Sequence, residues 1–303
     1  MAKILVTGAS GLLGCALVPS LRAQGEQVFT HGWQGLADFR VDLRDKNTTW
    51  AMLGAVCPDV IINLAALTNV DTCETQPALA YALNVKTVEN LSSWMKQNNT
   101  TAQQACYLIQ ISSDQVYDAQ NELNGGAHGP FPEEAASVYN TYGFSKIAAE
   151  LAALQVSACA LRTNFFGKSA RAGRQSFSDW LHQSLHAGQS IQVFEDVLFS
   201  PLGMPSLVQA IAKIVQAKPQ GVFNLGSHNG MSKADFAFAF AEAAGLPTAS
   251  MTRASSSTSN KIQAYRPKDM RMDSRHIEQV LGISLPSLLE EIQQCGREYR
   301  ETA

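Results

Sequence analysis

Tyr142 and Lys146 stand four residues apart in Tyr139-Asn140-Thr141-Tyr142-Gly143-Phe144-Ser145-Lys146. On a helix that spacing puts both side chains on one face. An ammonium beside a phenol favours the phenolate and lowers a pKa that otherwise lies near ~10. A phenol tuned in this way can give a proton to a carbonyl oxygen, or take one from an alcohol, near neutral pH. Upstream, Ser112-Ser113-Asp114-Gln115-Val116-Tyr117 ends an apolar run. Ser113 thus falls at the carboxyl edge of a strand, where open α/β sheets bind ligands, and can hydrogen-bond the same oxygen. By itself the Tyr–Lys pair would read more simply as a surface contact. The serine at the strand end and the glycines described next give it a catalytic reading.

Those glycines lie in Lys3-Ile4-Leu5-Val6-Thr7-Gly8-Ala9-Ser10-Gly11-Leu12-Leu13-Gly14, where an apolar run breaks into Gly8, Gly11 and Gly14 before an Ala/Leu-rich helical pattern. A strand entering a helix through glycines brings backbone N–H groups and the positive end of a helix dipole together. A pyrophosphate binds there if no side chain blocks it. Three glycines can also be a tight turn and nothing more, but these end the first strand, where doubly wound folds carry their cofactor loop.

The elements that must position these groups alternate. Strands are expected at 3–7, 27–31, 59–63, 107–112 and 158–163, with helices at 12–23, 77–97 and 139–154. That order predicts an α/β protein with a doubly wound parallel sheet covered by helices on both faces. After Arg162 the alternation loosens: a helix at 176–186, strands at 191–194 and 222–225, and two amphipathic helices at 274–281 and 286–299. Residues 1–160 read as a dinucleotide-binding domain, with later strands near 190–225 adding to it, and 161–303 as mainly a smaller substrate-binding region. The 118–136 stretch is a long Asn/Gly/Pro-containing loop, and 255–260 is a polar surface loop.

Composition narrows the class. With 46% apolar and 16% charged residues the chain is globular rather than disordered. A net charge of −3 gives no electrostatic footprint for nucleic acid. The N-terminal apolar run is too short for a signal peptide, and no run is long enough to span a membrane. The six cysteines are scattered without a C-x-x-C pair, which reads as reduced thiols in a cytoplasmic protein. No metal site is expected: His182 and His186 share a helix face but have no third ligand.

The chain resembles the extended short-chain dehydrogenases/reductases, and among them the dTDP-4-dehydrorhamnose reductase group. Asn63-Leu64-Ala65-Ala66-Leu67-Thr68-Asn69-Val70-Asp71 is similar to the group's Asn-x-Ala-Ala-x-Thr-x-Val-Asp block. Tyr81-Ala82-Leu83-Asn84-Val85 resembles its following helix, Ser112-Ser113-Asp114 its Ser-Thr-Asp and Leu161-Arg162-Thr163 its Arg-Thr strand. Arg266-Pro267-Lys268-Asp269 and Leu281-Gly282-Ile283-Ser284-Leu285-Pro286 resemble its C-terminal pattern. The glycine loop and Tyr-x-x-x-Lys belong to the superfamily as a whole.

This resemblance implies a Rossmann fold and hydride transfer from a nicotinamide to C4 of a 4-keto-6-deoxy sugar carried on a nucleoside diphosphate. It implies Gly11, Leu12 and Leu13 at the pyrophosphate, Asp42 and Leu43 at the adenine, and Ala65, Ala66 and Leu67 at the nicotinamide side. Tyr142 would donate the proton, Lys146 would bind the nicotinamide ribose and tune Tyr142, and Ser113 would polarise the ketone. Ser113 and Asp114 would touch the sugar, and Asn84 would either support a relay water or be a core asparagine. The chain also departs from the group. Gln115 follows Asp114 where the group has Tyr, and Phe165 replaces a substrate-stacking Trp. Ala16 replaces a glutamate through which some members dimerise around a metal, so a homodimer, if formed, would not be built that way.

A nucleotide-sugar epimerase or dehydratase on the same scaffold is a second reading, although Asp114-Gln115 supplies only one of a dehydratase's two acids. A non-catalytic dinucleotide-binding regulatory subunit is a third. Lys168, Arg171 and Arg174 are candidate diphosphate contacts or a solvated basic loop. At the end of the second strand, where an acid normally holds the adenosine ribose, the chain has Thr30-His31. With no carboxylate there and a histidine that would charge beside a phosphate, the expectation is NADP(H) preferred, with NAD(H) still used.

Overall fold

A computed structural model describes residues 1–33, 35–99, 105–118, 128–171, 173–258 and 263–301. From the N-terminus run β1 (Lys3–Thr7), α1 (Leu12–Ala23), β2 (Gln27–Thr30), α2 (Lys46–Val56), β3 (Val60–Asn63), α3 (Val70–Thr75), α4 (Pro77–Ala80), a π turn (Tyr81–Lys86), α5 (Thr87–Asn98) and β4 (Tyr107–Ile111). After a short turn at Asp114–Val116 come α6 (Thr141–Ala153), β5 (Ala158–Thr163), β6 (Phe165–Phe166), α7 (Phe177–His186), β7 (Ile191–Phe194), β8 (Leu198–Phe199) and β9 (Leu202–Gly203). The remainder is α8 (Met204–Ala217), β10 (Gly221–Leu225), β11 (Met231–Ser232), α9 (Lys233–Ala244), β12 (Met251–Ala254), α10 (Arg275–Leu281) and α11 (Leu288–Arg300).

These elements form two compact units that interleave in sequence. The first is Met1–Ser113, Asn140–Arg162 and Val208–Phe223; the second is Asp114–Tyr139, Thr163–Leu207 and Asn224–Ala303. No single boundary near residue 160 separates them.

The first unit is organised by a six-stranded sheet of order β10-β5-β4-β3-β1-β2. β1 pairs in parallel with both β2 and β3, β3 with β4, and β4 with β5. The order therefore reverses at β1, the switch point at which doubly wound sheets open a crevice beyond their strand ends. β3 and β4 are buried along their whole length, as their apolar runs demand of central parallel strands. Val88, Leu91 and Met95 of α5 and Ala149 and Ala153 of α6 pack with Leu5, Ile61 and Leu108 of the sheet in one core cluster.

Among its described residues the second unit pairs β11 with β8, β12 with β7 and β6 with β9 in two-stranded sheets. Its core is aromatic. Phe236 lies edge-on to Phe166 at 4.7 Å and 5.4 Å from both Phe177 and Phe199, while Phe240 meets Tyr299 edge-on at 5.3 Å. Ser176 and Ser287 start α7 and α11 with reciprocal capping boxes.

Several expectations change. The strand at 191–194 does not join the large sheet; β7 pairs in parallel with β12, and the exposed Gln192 between buried Ile191 and Val193 suits a sheet with one wet face. β10 does join it. The single helix expected over 77–97 is interrupted by the π turn, which carries Asn84. Of the long loop at 118–136, residues 119–127 lie outside the described residues, as do 259–260 of the polar tract; Ser256–Thr258 forms a short turn. Among the described residues no helix is long and apolar enough to cross a membrane.

Candidate active site

The glycine loop has the backbone geometry that its spacing predicts. Gly8 adopts φ +64, and a Cβ there would come within 2.8 Å of the Ala65 amide nitrogen. Only glycine gives both the left-handed turn and the close approach of the β1 and β3 loops. A Cβ on Gly14 would strike the Ala9 carbonyl oxygen at 2.5 Å, so α1 packs hard against the loop that precedes it. Gly11 is the N-cap of α1, with no side chain capping the helix and no acidic residue in its first turn. The helix therefore presents uncapped amides and an uncompensated positive dipole end, which fits an anionic group such as a dinucleotide pyrophosphate. Gly11, Leu12 and Leu13 lie at that end, and Ala65 lies beside Gly8 in the loop after β3, where Ala66 follows it.

Tyr142 and Lys146 fall on the first turns of α6, which begins at Thr141 because the Asn140 side chain accepts the Gly143 amide at 2.7 Å. Both side chains are buried, 7% and 3% exposed. The Lys146 ammonium lies 6.0 Å from the centre of the Tyr142 ring and donates to the Ile111 carbonyl at 2.6 Å. Ile111 is the last residue of β4, so the lysine is tied to the strand that leads into Ser112 and Ser113. Burial pushes the Lys146 pKa down to about 8, opposed by the nearby Glu150 carboxylate. That glutamate is itself locked in place, accepting from Arg162 through Nε at 3.0 Å and Nη2 at 2.7 Å and from the Ser112 hydroxyl. Glu150 follows Lys146 by four residues, a spacing from which its proximity could have been read.

A second layer braces Tyr142 from behind. Asn84 accepts the Leu67 amide at 2.7 Å and donates to the Leu67 carbonyl and to Ser145 Oγ, which in turn donates to the Tyr142 carbonyl. In this arrangement Asn84 clamps the loop after β3 to α6. Cys73, Ala80 and Tyr142 form a small buried cluster, and burial pushes the Cys73 thiol up. The sequence did not signal either Ser145 or Cys73.

Asp42 is half-exposed and forms a forked pair with Arg44, whose hydrogen bond holds its carboxyl low. Leu43, expected at the adenine, has its side chain in the core beside Leu5 and Leu53.

At the end of β2 the structure differs from two premises of the sequence reading, an exposed chargeable His31 and the lack of a carboxylate. His31 is 5% exposed, and its Nε2 lies 2.9 Å from the Val41 carbonyl. A carbonyl only accepts, so Nε2 carries the hydrogen; Nδ1 is buried and has no partner among the described residues. Burial pushes the pKa of this histidine down, away from the charged form expected beside a phosphate. A carboxylate does stand there, but it is that of Asp38, which accepts from the Thr30 amide and hydroxyl at 2.8 Å each.

In the second unit, Asp114 is buried and accepts Asn164 Nδ2 at 2.6 Å, which ties it to the residue preceding the half-buried Phe165. Lys168 lies over the Tyr299 ring at 5.8 Å. His182 and His186 stack on each other, and His182 packs on Tyr299.

A family model described as the RmlD substrate binding domain matches residues 2–301. The chain is 27% identical over 299 residues to a probable low-salt glycan biosynthesis reductase, Agl14, of Haloferax volcanii, covering 95% of each. It is 26% identical over 292 residues to methionine adenosyltransferase 2 subunit beta of Rattus norvegicus, covering 93% of this chain and 83% of that one. Among solved structures, a dTDP-4-dehydrorhamnose reductase from Bacillus anthracis in complex with NADP superposes with a TM-score of 0.83 at 22% identity, covering 98% of this chain and 99% of that one.

Proposed function

This chain belongs to the RmlD substrate binding domain family, whose members point to NAD(P)-dependent oxidoreductase chemistry, and from that premise we propose that it reduces the C4 ketone of a nucleotide-linked 4-keto-6-deoxy sugar. When bound, a reduced nicotinamide dinucleotide supplies the hydride, the hard step of such a reaction. The chain supplies position and the proton. Gly8, Gly11, Leu12, Leu13 and Gly14 hold the pyrophosphate at the open end of α1, and Ala65, Ala66 and Leu67 border the nicotinamide. Tyr142 gives its phenolic proton to the ketone oxygen as the carbon is reduced, leaving an alcohol on the sugar and a phenolate on the protein. Lys146 stabilises that phenolate and binds the nicotinamide ribose. Ser113 polarises the ketone, and Asp114 and Phe165 contact the sugar.

The observation that carries this reading is the buried Lys146 ammonium, 6.0 Å from the Tyr142 ring and anchored on the carbonyl of Ile111. A lysine taken out of water costs stability unless its charge is used. The test is oxidation of NADH or NADPH by the purified protein, followed spectroscopically, with a dTDP-4-keto-6-deoxy sugar as acceptor. Turnover that requires both partners is expected; none with any nucleotide-linked keto sugar would refute the reading.

A second reading is favoured by one observation, the similarity to a chain named as the beta subunit of methionine adenosyltransferase 2. On that reading the chain binds dinucleotide without turnover. Intact dinucleotide binding with no reduction of any keto sugar is its signature.

A further inference from the structure

We propose that Asp38 is the residue that selects the dinucleotide, and that this chain takes NAD(H) in preference to NADP(H). The inference rests on the dinucleotide reading above and concerns only the end of β2, the edge at which a doubly wound fold meets the adenosine ribose.

The sequence has no acid directly after β2, but the chain folds back to supply one. Phe39 donates its amide to the Thr30 carbonyl at 3.0 Å, Gly32 donates to the Phe39 carbonyl at 3.2 Å, and His31 and Phe39 form a parallel bridge. That return sets Asp38 against the last residue of β2. Its Oδ2 accepts both the amide and the hydroxyl of Thr30 at 2.8 Å, and its own amide donates back to Thr30 Oγ1 at 3.1 Å. Both short contacts fall on one carboxylate oxygen. Among the described residues no hydrogen bond reaches Oδ1, which can take an outside donor, and the side chain is 48% exposed.

A carboxylate held there can accept the hydroxyls of an unmodified ribose and repels a 2′-phosphate. The nearby cations offer that phosphate little. Arg22 donates to the Val28 carbonyl and stands 4.0 Å from Asp38 itself. Arg44 is forked onto Asp42, and Arg40 donates to the Gly35 carbonyl. His31 is buried on Val41 and brings no charge.

Direct titration of the full chain with NADH and with NADPH, read by nicotinamide fluorescence, tests this without relying on turnover. Wild type is expected to bind NADH about tenfold or more tighter, the scale of one like-charge contact relieved. Asp38→Asn keeps an oxygen for Thr30 but removes the charge. It is expected to move the affinity ratio about tenfold toward NADPH, mainly by tightening NADPH. Thr30→Val, which removes one of the bonds seating the carboxylate, should move it the same way by less. A wild-type preference for NADPH, or a ratio unmoved in Asp38→Asn, overturns the role of Asp38 and leaves the dinucleotide reading standing. Binding of neither dinucleotide overturns both.

Discussion

In the first unit the candidate catalytic residues hang on backbone pairing, whereas in the second the aromatic core is held by side chains. Lys146 reaches a β4 carbonyl, and β4 is fixed in register by parallel ladders to β3 and β5. In the second unit the sheets are two-stranded and the rings of Phe166, Phe177, Phe199 and Phe236 pack on one another in its core. Ladder geometry changes little with side-chain identity, while packing geometry follows every change of volume. Substitutions should therefore separate cleanly: those in the first unit's Tyr–Lys neighbourhood act on the rate, and those in the second unit's core act on stability.

The largest effect tests the first half of that contrast. Tyr142→Phe is expected to lower turnover by about 10²–10⁴-fold, the usual worth of a general acid, with dinucleotide affinity within a few-fold of wild type and an unfolding midpoint close to it. Near-normal turnover would remove Tyr142 from the chemistry and bring the non-catalytic reading forward. Phe236→Ala is the counterpart. Phe236 is fully buried among the rings of Phe166, Phe177, Phe199 and Phe240, so its truncation should cost about 3–5 kcal/mol in denaturant unfolding. Turnover per folded molecule should fall far less than in Tyr142→Phe, and a loss of comparable size would break the contrast.

Glu150→Gln crosses the divide within one unit. It removes the charge partner of a buried arginine, 5% exposed and bonded at 2.7 Å, and should cost about 3–5 kcal/mol. It also removes the group that supports the Lys146 ammonium. With Lys146 pushed down to about 8 from 10.5, wild-type kcat/KM for reduction should decline as pH rises through about 8. In Glu150→Gln that decline should begin at lower pH. Stability runs the other way: the unfolded lysine still holds its proton between about 8 and 10.5 while the folded one has lost it. The unfolded state binds more protons there, so this residue's contribution to stability rises with pH across that window. A pH–rate profile unmoved by Glu150→Gln would show that the carboxylate holds Arg162 and Ser112 without setting the charge of Lys146.

The same division explains what could be read from the sequence. β1, α1, β5 and β7 have the bounds that alternation and glycine punctuation predict, because each is a short apolar run or amphipathic stretch between clear breakers. The helix α2 was not legible: its Thr48 and Thr49 are poor helix formers, and the cap that starts it, Asp45 accepting the Thr48 amide, is a side-chain contact. Tyr142, Lys146 and the glycines announce themselves by type and spacing. Asp38 does not, because the fold-back at Phe39 that carries it to Thr30 leaves no periodic trace. Asp114 and Phe165 join through Asn164 across a long stretch of chain, a meeting that only tertiary structure makes.

The smallest effect sharpens the comparison most, because it sets one kind of interaction in both units. Asn140 caps α6 by accepting the Gly143 amide, and Ser232 caps α9 by accepting the Asp235 amide at 3.0 Å. Replacing either by alanine removes one bond to an N-terminal amide and should cost about 1 kcal/mol of stability. The consequences for rate should differ. Tyr142 is the second residue of α6, within the turn that the cap holds, whereas Lys146 is a turn further on and separately tied to Ile111. A frayed first turn moves the phenol relative to the ammonium, and small misplacements of a reacting group are costly. Asn140→Ala is therefore expected to lower kcat several-fold with little change in dinucleotide affinity, and Asn140→Ser, which still caps, should restore most of the rate. In α9 the capped turn carries Lys233, Ala234 and Asp235, none of them placed in the chemistry. Ser232→Ala should thus lose stability alone, its kcat within twofold of wild type. Equal effects of the two substitutions on kcat would mean that the cap at Asn140 stabilises α6 without positioning Tyr142.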